Sequence, residues 1–442
     1  MKETIETEKK AMQAFLVSIK DGKMSKENSD SLAKELRGLV DTLGLEIVSH
    51  EMVHVRENSA RYGMGTGKAE ELAEKAASYK ADCIIFDRDI SPSQQRNWEK
   101  LTGTSVIDRQ ELIIQIFASR ARTREAVLQV DLAELCYMLP RLQHKYIDLS
   151  RQRGGRYGTR GSGETRLETD RRRLEEKIHK LEEELELVKQ QRQVQRRQRE
   201  RQGVPVCALV GYTNAGKSTI FNTLTGAGVL AENKLFATLD STSRRLELPL
   251  GMQILLVDTV GFIRRLPHSL VNAFHSTLEE LTHSDILLNV LDASEQDLAR
   301  QYETTLSVLR DLGAENIPRI TVLNKIDRLQ SALSGVPGAT SAETLLKQYP
   351  GSIPVSVVSE SGNVQICGLT ELCERIENTL SGTKKFFRFP PERTDLAALV
   401  HRSGQVISEV YGDTFIEMEA RLDERTSGRL KEYQMKEFTT NG

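Results

Sequence analysis

Gly211-Tyr212-Thr213-Asn214-Ala215-Gly216-Lys217-Ser218 is the stretch that decides how this chain folds. It has the spacing GxxxxGK[ST]. The apolar run Val206-Cys207-Ala208-Leu209-Val210 stands before it, and the helix-like Ser218-Thr219-Ile220-Phe221-Asn222-Thr223-Leu224 follows. A strand passing through a glycine-rich turn into a helix is the setting in which this spacing binds phosphate. The glycines let backbone N–H groups turn inward. Lys217 reaches the β- and γ-phosphates, Ser218 offers its hydroxyl to Mg²⁺, and the helix N-terminus adds a favourable dipole. A chance match in a glycine-rich turn would lack that strand and helix. Gly211, Tyr212, Thr213, Asn214, Ala215, Gly216, Lys217, Ser218 and Thr219 are therefore the expected lining of a nucleotide. Adenine and guanine are not yet distinguished.

Downstream, Ile254-Leu255-Leu256-Val257 runs into Asp258-Thr259-Val260-Gly261. A buried strand ending in Asp258 places a carboxylate to hold Mg²⁺ through water, and Gly261 can offer its N–H to a γ-phosphate. Any DxxG can be an ordinary β-turn, but one in this order reads as the metal partner, with Thr259 and Val260 beside the nucleotide. Thr321-Val322-Leu323 then leads into Asn324-Lys325-Ile326-Asp327. The Asp327 carboxylate can accept both the ring imino and the exocyclic amino hydrogens of guanine. Adenine would leave that carboxylate unpaired, at a cost of about several kcal/mol. Third in order after the other two motifs, NKxD selects GTP and GDP.

Working outward, the N-terminal 120 residues alternate strand-like runs (AFLVSI, EIVSHEMVHV, DCIIFD) with amphipathic ones (SLAKELRGLVDTL, AEELAEKAASY, SPSQQRNWEKL). That alternation predicts a small α/β domain. Residues 111–142 read as helix, and RQRGGRYGTRGSGETRLETD has no apolar period and reads as a loop. Leu167, Leu174, Ile178, Leu181, Leu185 and Val188 then draw a narrow stripe along a long helix. Helix, loop and returning helix predict a helical hairpin with an Arg-rich tip, a tip suited to folded RNA or equally to a solvated linker. After the basic tail QQRQVQRRQRERQG a boundary falls at Gly203-Val204-Pro205. The last 60 residues (KKFFRF as strand, TDLAALVHRSGQVISEV as helix, DTFIEMEARL as strand) predict a small α+β appendage. The expected regions are an N-terminal α/β domain (1–120), the hairpin (121–202), the nucleotide domain (203–382) and the appendage (383–442).

Composition narrows the class. Lys plus Arg (61) and Asp plus Glu (63) balance to a net charge of -2, so any attraction to nucleic acid has to be local. The cysteines at 83, 136, 207, 367 and 373 form no CxxC or Cys/His pattern, which argues for reduced thiols and against a zinc site. The charged start MKETIETEKK and the lack of a run of ~20 apolar residues point to a soluble, cytoplasmic protein. Gly65-Thr66-Gly67-Lys68 ends in GK, but Tyr62 stands where the first glycine should be, so it reads as a turn into a helix. His268 and His275 read as surface or switch residues rather than metal ligands.

The order of the motifs resembles that of translation-factor-like P-loop GTPases, and the residues around them resemble the HflX family of ribosome-associated GTPases. The supporting stretches are RNWEKLTGTSVIDRQELIIQIFASRARTREAVLQVDLAELCYMLPRL, GGRYGTRGSGETRLETDRRRLEEKI, LFATLD and DTVGFIRRLPHSLVNAFHSTLEE. They cover residues 50–330 well and both ends weakly. The resemblance implies a multidomain α/β chain with a Ras-like P-loop GTPase domain. It also implies a monomer that binds the large ribosomal subunit and its rRNA and splits or rescues ribosomes. A GTPase of another RNA-linked pathway, with the hairpin used for dimerisation, is one alternative. An RNA-binding module locked by nucleotide is the other.

By the same resemblance Asn233-Lys234-Leu235-Phe236-Ala237-Thr238-Leu239-Asp240 is the first switch, with Thr238 sensing Mg²⁺ and the γ-phosphate. The family continues Asp-Pro-Thr where this chain has Asp240-Ser241-Thr242, and Thr242 is a weaker candidate for that role. Lys217, Thr238 and Gly261 are the expected catalytic set, and Ser218 and Thr238 the metal ligands. Phe262 follows Gly261 where Ras-like enzymes carry a water-orienting Gln, which predicts slow intrinsic hydrolysis. Asn214 fits either a K⁺ ion beside the phosphates or a simple brace for the loop. In SIPVSVVS, Ser356 or Ser359 could close the guanine site, and Ser359 is favoured.

Overall fold

The computed structural model describes residues 11–22, 24–55, 59–152, 162–228, 232, 234–265, 280–332, 342–360, 363–381, 384–412, 414–422 and 424–435. The N-terminal strands β1 (Gln13–Asp21), β2 (Glu46–Val55), β3 (Cys83–Phe86) and β4 (Ser105–Ile107) form one parallel sheet in the order β2-β1-β3-β4. Ala14, Phe15, Leu16 and Val17 of β1 are all fully buried, as a strand covered by helices on both faces requires. Helix α1 (Lys26–Leu43) starts at Ser25, whose hydroxyl accepts from the Asn28 N–H, and ends at Gly44 with φ +80°. Helix α2 (Thr66–Ser78) begins directly after Gly65, so the GTGK stretch is a turn into a helix. Helix α3 (Pro92–Thr102) carries a full capping box between Ser91 and Gln94. Its Trp98 is buried against Phe86 and Tyr62 and donates Nε1–H to the Tyr62 carbonyl at 3.0 Å. The short β4 was not expected; three residues are too few for a pattern to register.

Helices α4 (Arg109–Arg120), α5 (Arg124–Gln152) and α6 (Ser162–Gln202) follow. An Arg124–Glu184 ion pair at 3.1 Å ties the start of α5 to α6. The expected loop is shorter than its composition suggested, because α6 already includes Ser162–Asp170. Leu167 opens the apolar stripe there, and Glu, Arg and Leu are good helix formers that carry the helix a turn or more upstream. The rest of that stretch, residues 153–161, lies outside the described residues.

The next sheet has six strands in the order β10-β9-β8-β5-β7-β6. They are β5 (Val206–Gly211), β6 (Thr242–Glu247), β7 (Gln253–Asp258), β8 (Ile286–Asp292), β9 (Arg319–Asn324) and β10 (Ile353–Pro354), all parallel except β6 against β7. Cys207, Leu209, Ile254, Leu256, Leu288, Val290 and Val322 form its core with Ile220 and Phe221 of helix α7 (Lys217–Thr225). SIPVSVVS is not one strand. It divides at Val355, after which β11 (Ser356–Glu360) pairs with β12 (Asn363–Cys367) as a separate antiparallel ribbon.

The C-terminal sheet is antiparallel, in the order β14-β15-β13-β16: β13 (Lys384–Phe389), β14 (Gly404–Tyr411), β15 (Ile416–Leu422) and β16 (Gln434–Met435). The helix expected over TDLAALVHRSGQVISEV stops at Ser403. Val406, Ile407 and Val410 favour strand, and at Gly404 a Cβ would meet the Arg421 carbonyl oxygen at 2.3 Å, so only glycine permits that pairing.

Contacts divide the chain into two compact units. One is Met1–Lys189 with Glu232–Asp240 and Arg265–His275; the other is Gln190–Ala231, Ser241–Arg264 and Ser276–Gly442. This division is into two units rather than the four expected regions, and it cuts α6 between Lys189 and Gln190. The first-switch segment, however, packs with the N-terminal residues rather than with the rest of the nucleotide domain.

Candidate nucleotide site

The loop after β5 is set by residues with left-handed backbone. Gly211 has φ +137°, and a Cβ there would lie 2.2 Å from the Val290 carbonyl oxygen. Gly216 has φ +94°, and its Cβ would lie 2.2 Å from Asn324 Nδ2. Both glycines of the motif are thus required by backbone and by space. Asn214 is also left-handed (φ +61°), a conformation that asparagine tolerates better than most side chains, and it is exposed. This gives Asn214 a reason to be present as a brace, independent of any cation.

Lys217 opens α7 and is buried. Its ammonium donates to the Gly211 carbonyl at 3.2 Å and the Tyr212 carbonyl at 2.9 Å. Burial draws its pKa down to about 8; Asp258 opposes that shift and Lys325 adds to it. Ser218 donates its hydroxyl hydrogen to Asp258 Oδ2 at 2.6 Å. A hydroxyl and a carboxylate oxygen held together at the start of a helix are hard donors suited to Mg²⁺ completed by phosphate oxygens and water. Among the described residues no cluster of three His, Cys, Asp or Glu could hold a metal by itself. Thr219, next in the same turn, is half-buried.

The DTVG segment is fastened to this loop. The Thr259 hydroxyl donates to the Leu209 carbonyl at 2.6 Å, and Val260 is buried. Thr213 N–H donates to the Phe262 carbonyl at 2.7 Å, Phe262 N–H to the Gly211 carbonyl at 3.1 Å, and Arg264 N–H to the Tyr212 hydroxyl at 2.9 Å. Ala215 N–H turns back to the Tyr212 carbonyl at 3.2 Å. Gly261 sits so close that a Cβ would be 2.5 Å from Thr213 Cα and 2.9 Å from Lys217 Nζ. The Phe262 ring is 1% exposed, so it belongs to the core and cannot orient a water.

Asn324 ends β9, and Lys325 and Asp327 follow it into a short helix. Asn324 Nδ2 donates to the Ala215 carbonyl at 2.8 Å and Lys325 Nζ to the Asn214 carbonyl at 2.8 Å, linking this motif to the phosphate loop. Lys325 also pairs with Asp292 at 2.7 Å. Asp292 was missed from the sequence, although LLNVLD is a buried strand ending in Asp like the one before DTVG. Asp327 Oδ1 accepts from the Ser356 hydroxyl at 2.7 Å. Ser359 stands further along β11 opposite Val364, and its side chain lies outside the described residues.

Thr238 is half-buried within the segment that packs with the first unit. Thr242 stands in register with Asp258 across β6 and β7. His268 and His275 lie outside the described residues. No helix among the described residues is long and apolar enough to cross a membrane.

Three family models match the chain: "GTP-binding GTPase N-terminal" over residues 30–118, "GTP-binding GTPase Middle Region" over 120–199 and "50S ribosome-binding GTPase" over 206–325. GTPase HflX of Akkermansia muciniphila is 42% identical over 428 residues, covering 95% of this chain and 96% of the relative. GTPase HflX of Escherichia coli K12 is 45% identical over 297 residues, covering 67% and 70%. Among solved structures, a GTP-binding protein from Sulfolobus solfataricus in complex with GDP is 24% identical, with a TM-score of 0.42, covering 83% of this chain and 98% of that one. The chain thus belongs to the HflX family and is a GTP-binding, GTP-hydrolysing enzyme.

Proposed function

We propose that this GTPase binds the large ribosomal subunit through rRNA and couples its nucleotide cycle to splitting or rescue of ribosomes. The observation that carries this reading is the match of residues 206–325 to a family described as 50S ribosome-binding GTPases, on a chain similar to HflX proteins along 95% of its length. The four regions then divide the work. The nucleotide domain reads GTP, and the N-terminal domain and hairpin, with its Arg/Gly-rich stretch, face RNA. The enzyme works as a monomer in the cytoplasm.

Lys217 and the loop amides hold the phosphates, and Asp327 with Ser356 reads guanine. Ser218, with Asp258 behind it, and Thr238 are the candidate ligands of Mg²⁺, which when bound neutralises charge on the β- and γ-phosphate oxygens. Gly261 N–H senses the γ-phosphate, so hydrolysis releases both switches. With Phe262 in the core, no side chain at that position can align the attacking water. Slow intrinsic turnover, with help from the ribosome or from K⁺ near Asn214, is consistent with that.

The test is phosphate release from GTP, with ATP as control, in KCl and in NaCl, with and without purified large subunits. Stimulation by large subunits, specific to GTP, is the expected result. Turnover indifferent to large subunits would sink the ribosomal reading and leave a GTPase of another pathway. Equal rates in KCl and NaCl would remove K⁺.

A further inference from the structure

The first-switch segment is anchored on both sides of Thr238 by residues of the first unit. Before it, Phe236 is 1% exposed and meets Phe117 of α4 edge to face, with ring centroids 4.7 Å apart. Phe236 has φ +55°, a left-handed backbone that a non-glycine residue rarely adopts, here combined with burial of its ring. Leu235 N–H donates to the Thr42 hydroxyl of α1 at 3.2 Å, and Leu235 covers Gly38, where a Cβ would come within 3.1 Å of its side chain. Beyond Thr238, the Asp240 carboxylate holds the two residues just ahead of α5, including Thr123, whose hydroxyl caps that helix. Oδ2 accepts from the N–H groups of Arg122 at 3.1 Å and Thr123 at 3.3 Å, and Oδ1 accepts from the Thr123 hydroxyl at 2.5 Å. That hydroxyl in turn accepts from Ala126 N–H at 3.2 Å. Glu232 pairs with Arg120, the last residue of α4, at 2.9 Å.

We infer that Asp240 and Phe236 form a clasp that couples the first switch to α5, with Asp240 acting as a positioning residue for Thr238. The inference rests on Thr238 being the γ-phosphate and metal sensor proposed above. When GTP draws Thr238 to itself, the flanking anchors are pulled and Thr123, the residue that caps α5, loses the acceptor of its N–H and its hydroxyl. Because α5 runs from this cap toward the Arg/Gly-rich stretch, the state of the nucleotide reaches the proposed RNA-facing part through a single carboxylate. Coupling of this kind is reciprocal, so weakening the cap must favour GTP.

The experiment uses the full chain without ribosomes. Affinities for a non-hydrolysable GTP analogue and for GDP are measured with hydrogen exchange of the amides of residues 122–126. In the wild type those amides should exchange faster with the GTP analogue than with GDP. Asp240→Ala should exchange fast in both states and bind the analogue tighter by about three- to thirtyfold, the range spanned by losing one cap, with GDP affinity unchanged. Thr123→Val should shift affinity the same way, the double variant should add nothing, and Asp240→Asn, which keeps an acceptor, should lie nearer the wild type. Equal exchange with the two nucleotides, or unchanged or weaker analogue binding by Asp240→Ala, overturns the clasp. Thr238→Ala separates this from the sensor reading. If it weakens the analogue while Asp240→Ala does nothing, the clasp fails and the sensor stands. If it does nothing while Asp240→Ala tightens binding and speeds exchange, the clasp stands and the sensor fails.

Discussion

Lys217 is asked to be charged in a place that resists charge. Burial lowers its pKa from an ordinary 10.5 to about 8. Between those values the unfolded chain binds a proton that the folded chain does not, so stability rises as pH increases from about 8 to 10.5. Phosphate binding runs the other way, because the triphosphate needs the ammonium form. GTP affinity should fall about tenfold per pH unit above 8. Paired titrations of GTP affinity and of the unfolding midpoint at pH 7.5 and 9.5 should move in opposite directions, and Lys217→Met should flatten the stability change. At Asp327 the same scale of reasoning concerns hydrogen-bond direction. Asp327→Asn replaces two acceptor oxygens by one acceptor and one donor group. It should weaken GTP by about a hundredfold or more and admit xanthosine triphosphate, whose 2-oxo group accepts where guanine donates. A variant that kept its GTP affinity would show that Asp327 does not read the base.

Single elements carry the next level. The helix Leu369–Leu380 presents Glu377, fully buried, to the turn between β6 and β7. Its two carboxylate oxygens accept from Leu250 N–H at 2.9 Å and Met252 N–H at 3.1 Å. That turn also needs Gly251 at φ +92°, and β7 beyond it ends in Asp258. Glu377→Ala strands two amides and should lower stability by about 2–3 kcal/mol in denaturant titration, with Glu377→Gln intermediate. An unchanged midpoint would mean that water serves those amides equally well. Nothing in the spacing of NTL or ENT around Glu377 announces this role, since a lone Glu in an amphipathic helix normally faces water. The long, strongly patterned elements were legible: α1, α3 and α6 through caps or apolar stripes, and β5, β7 and β9 because each runs into a motif. What escaped were elements decided by pairing rather than by pattern. They are β4, with three residues, the β11–β12 ribbon, and β14, hidden in what reads as the continuation of a helix. In the site, the residues of the three motifs could be read because their chemistry is local to each stretch. Asp292 and the Ser356–Asp327 bond depend on which strand ends lie side by side in the sheet, and a sequence does not display that.

At the scale of the molecule, stimulation by large subunits tests the ribosomal reading, while the contact pattern places the first-switch segment with the first unit. Residues 232–240 leave the nucleotide domain's strand order after α7 and return to it at β6, spending the interval on α1, α4 and α5. This detour has a consequence for how the protein is made. Although the N-terminal sheet and its helices are encoded in the first 120 residues, the Phe117–Phe236 ring contact and the bonds from Arg122 and Thr123 to Asp240 can form only once residue 240 has been synthesised. At ordinary elongation rates of roughly 5–20 residues per second, the ~120 residues in between take about 6–24 s. A growing chain therefore passes through a period in which its N-terminal sheet is complete but its surface is not. The domain that folds first is finished only by a segment of the domain that folds second.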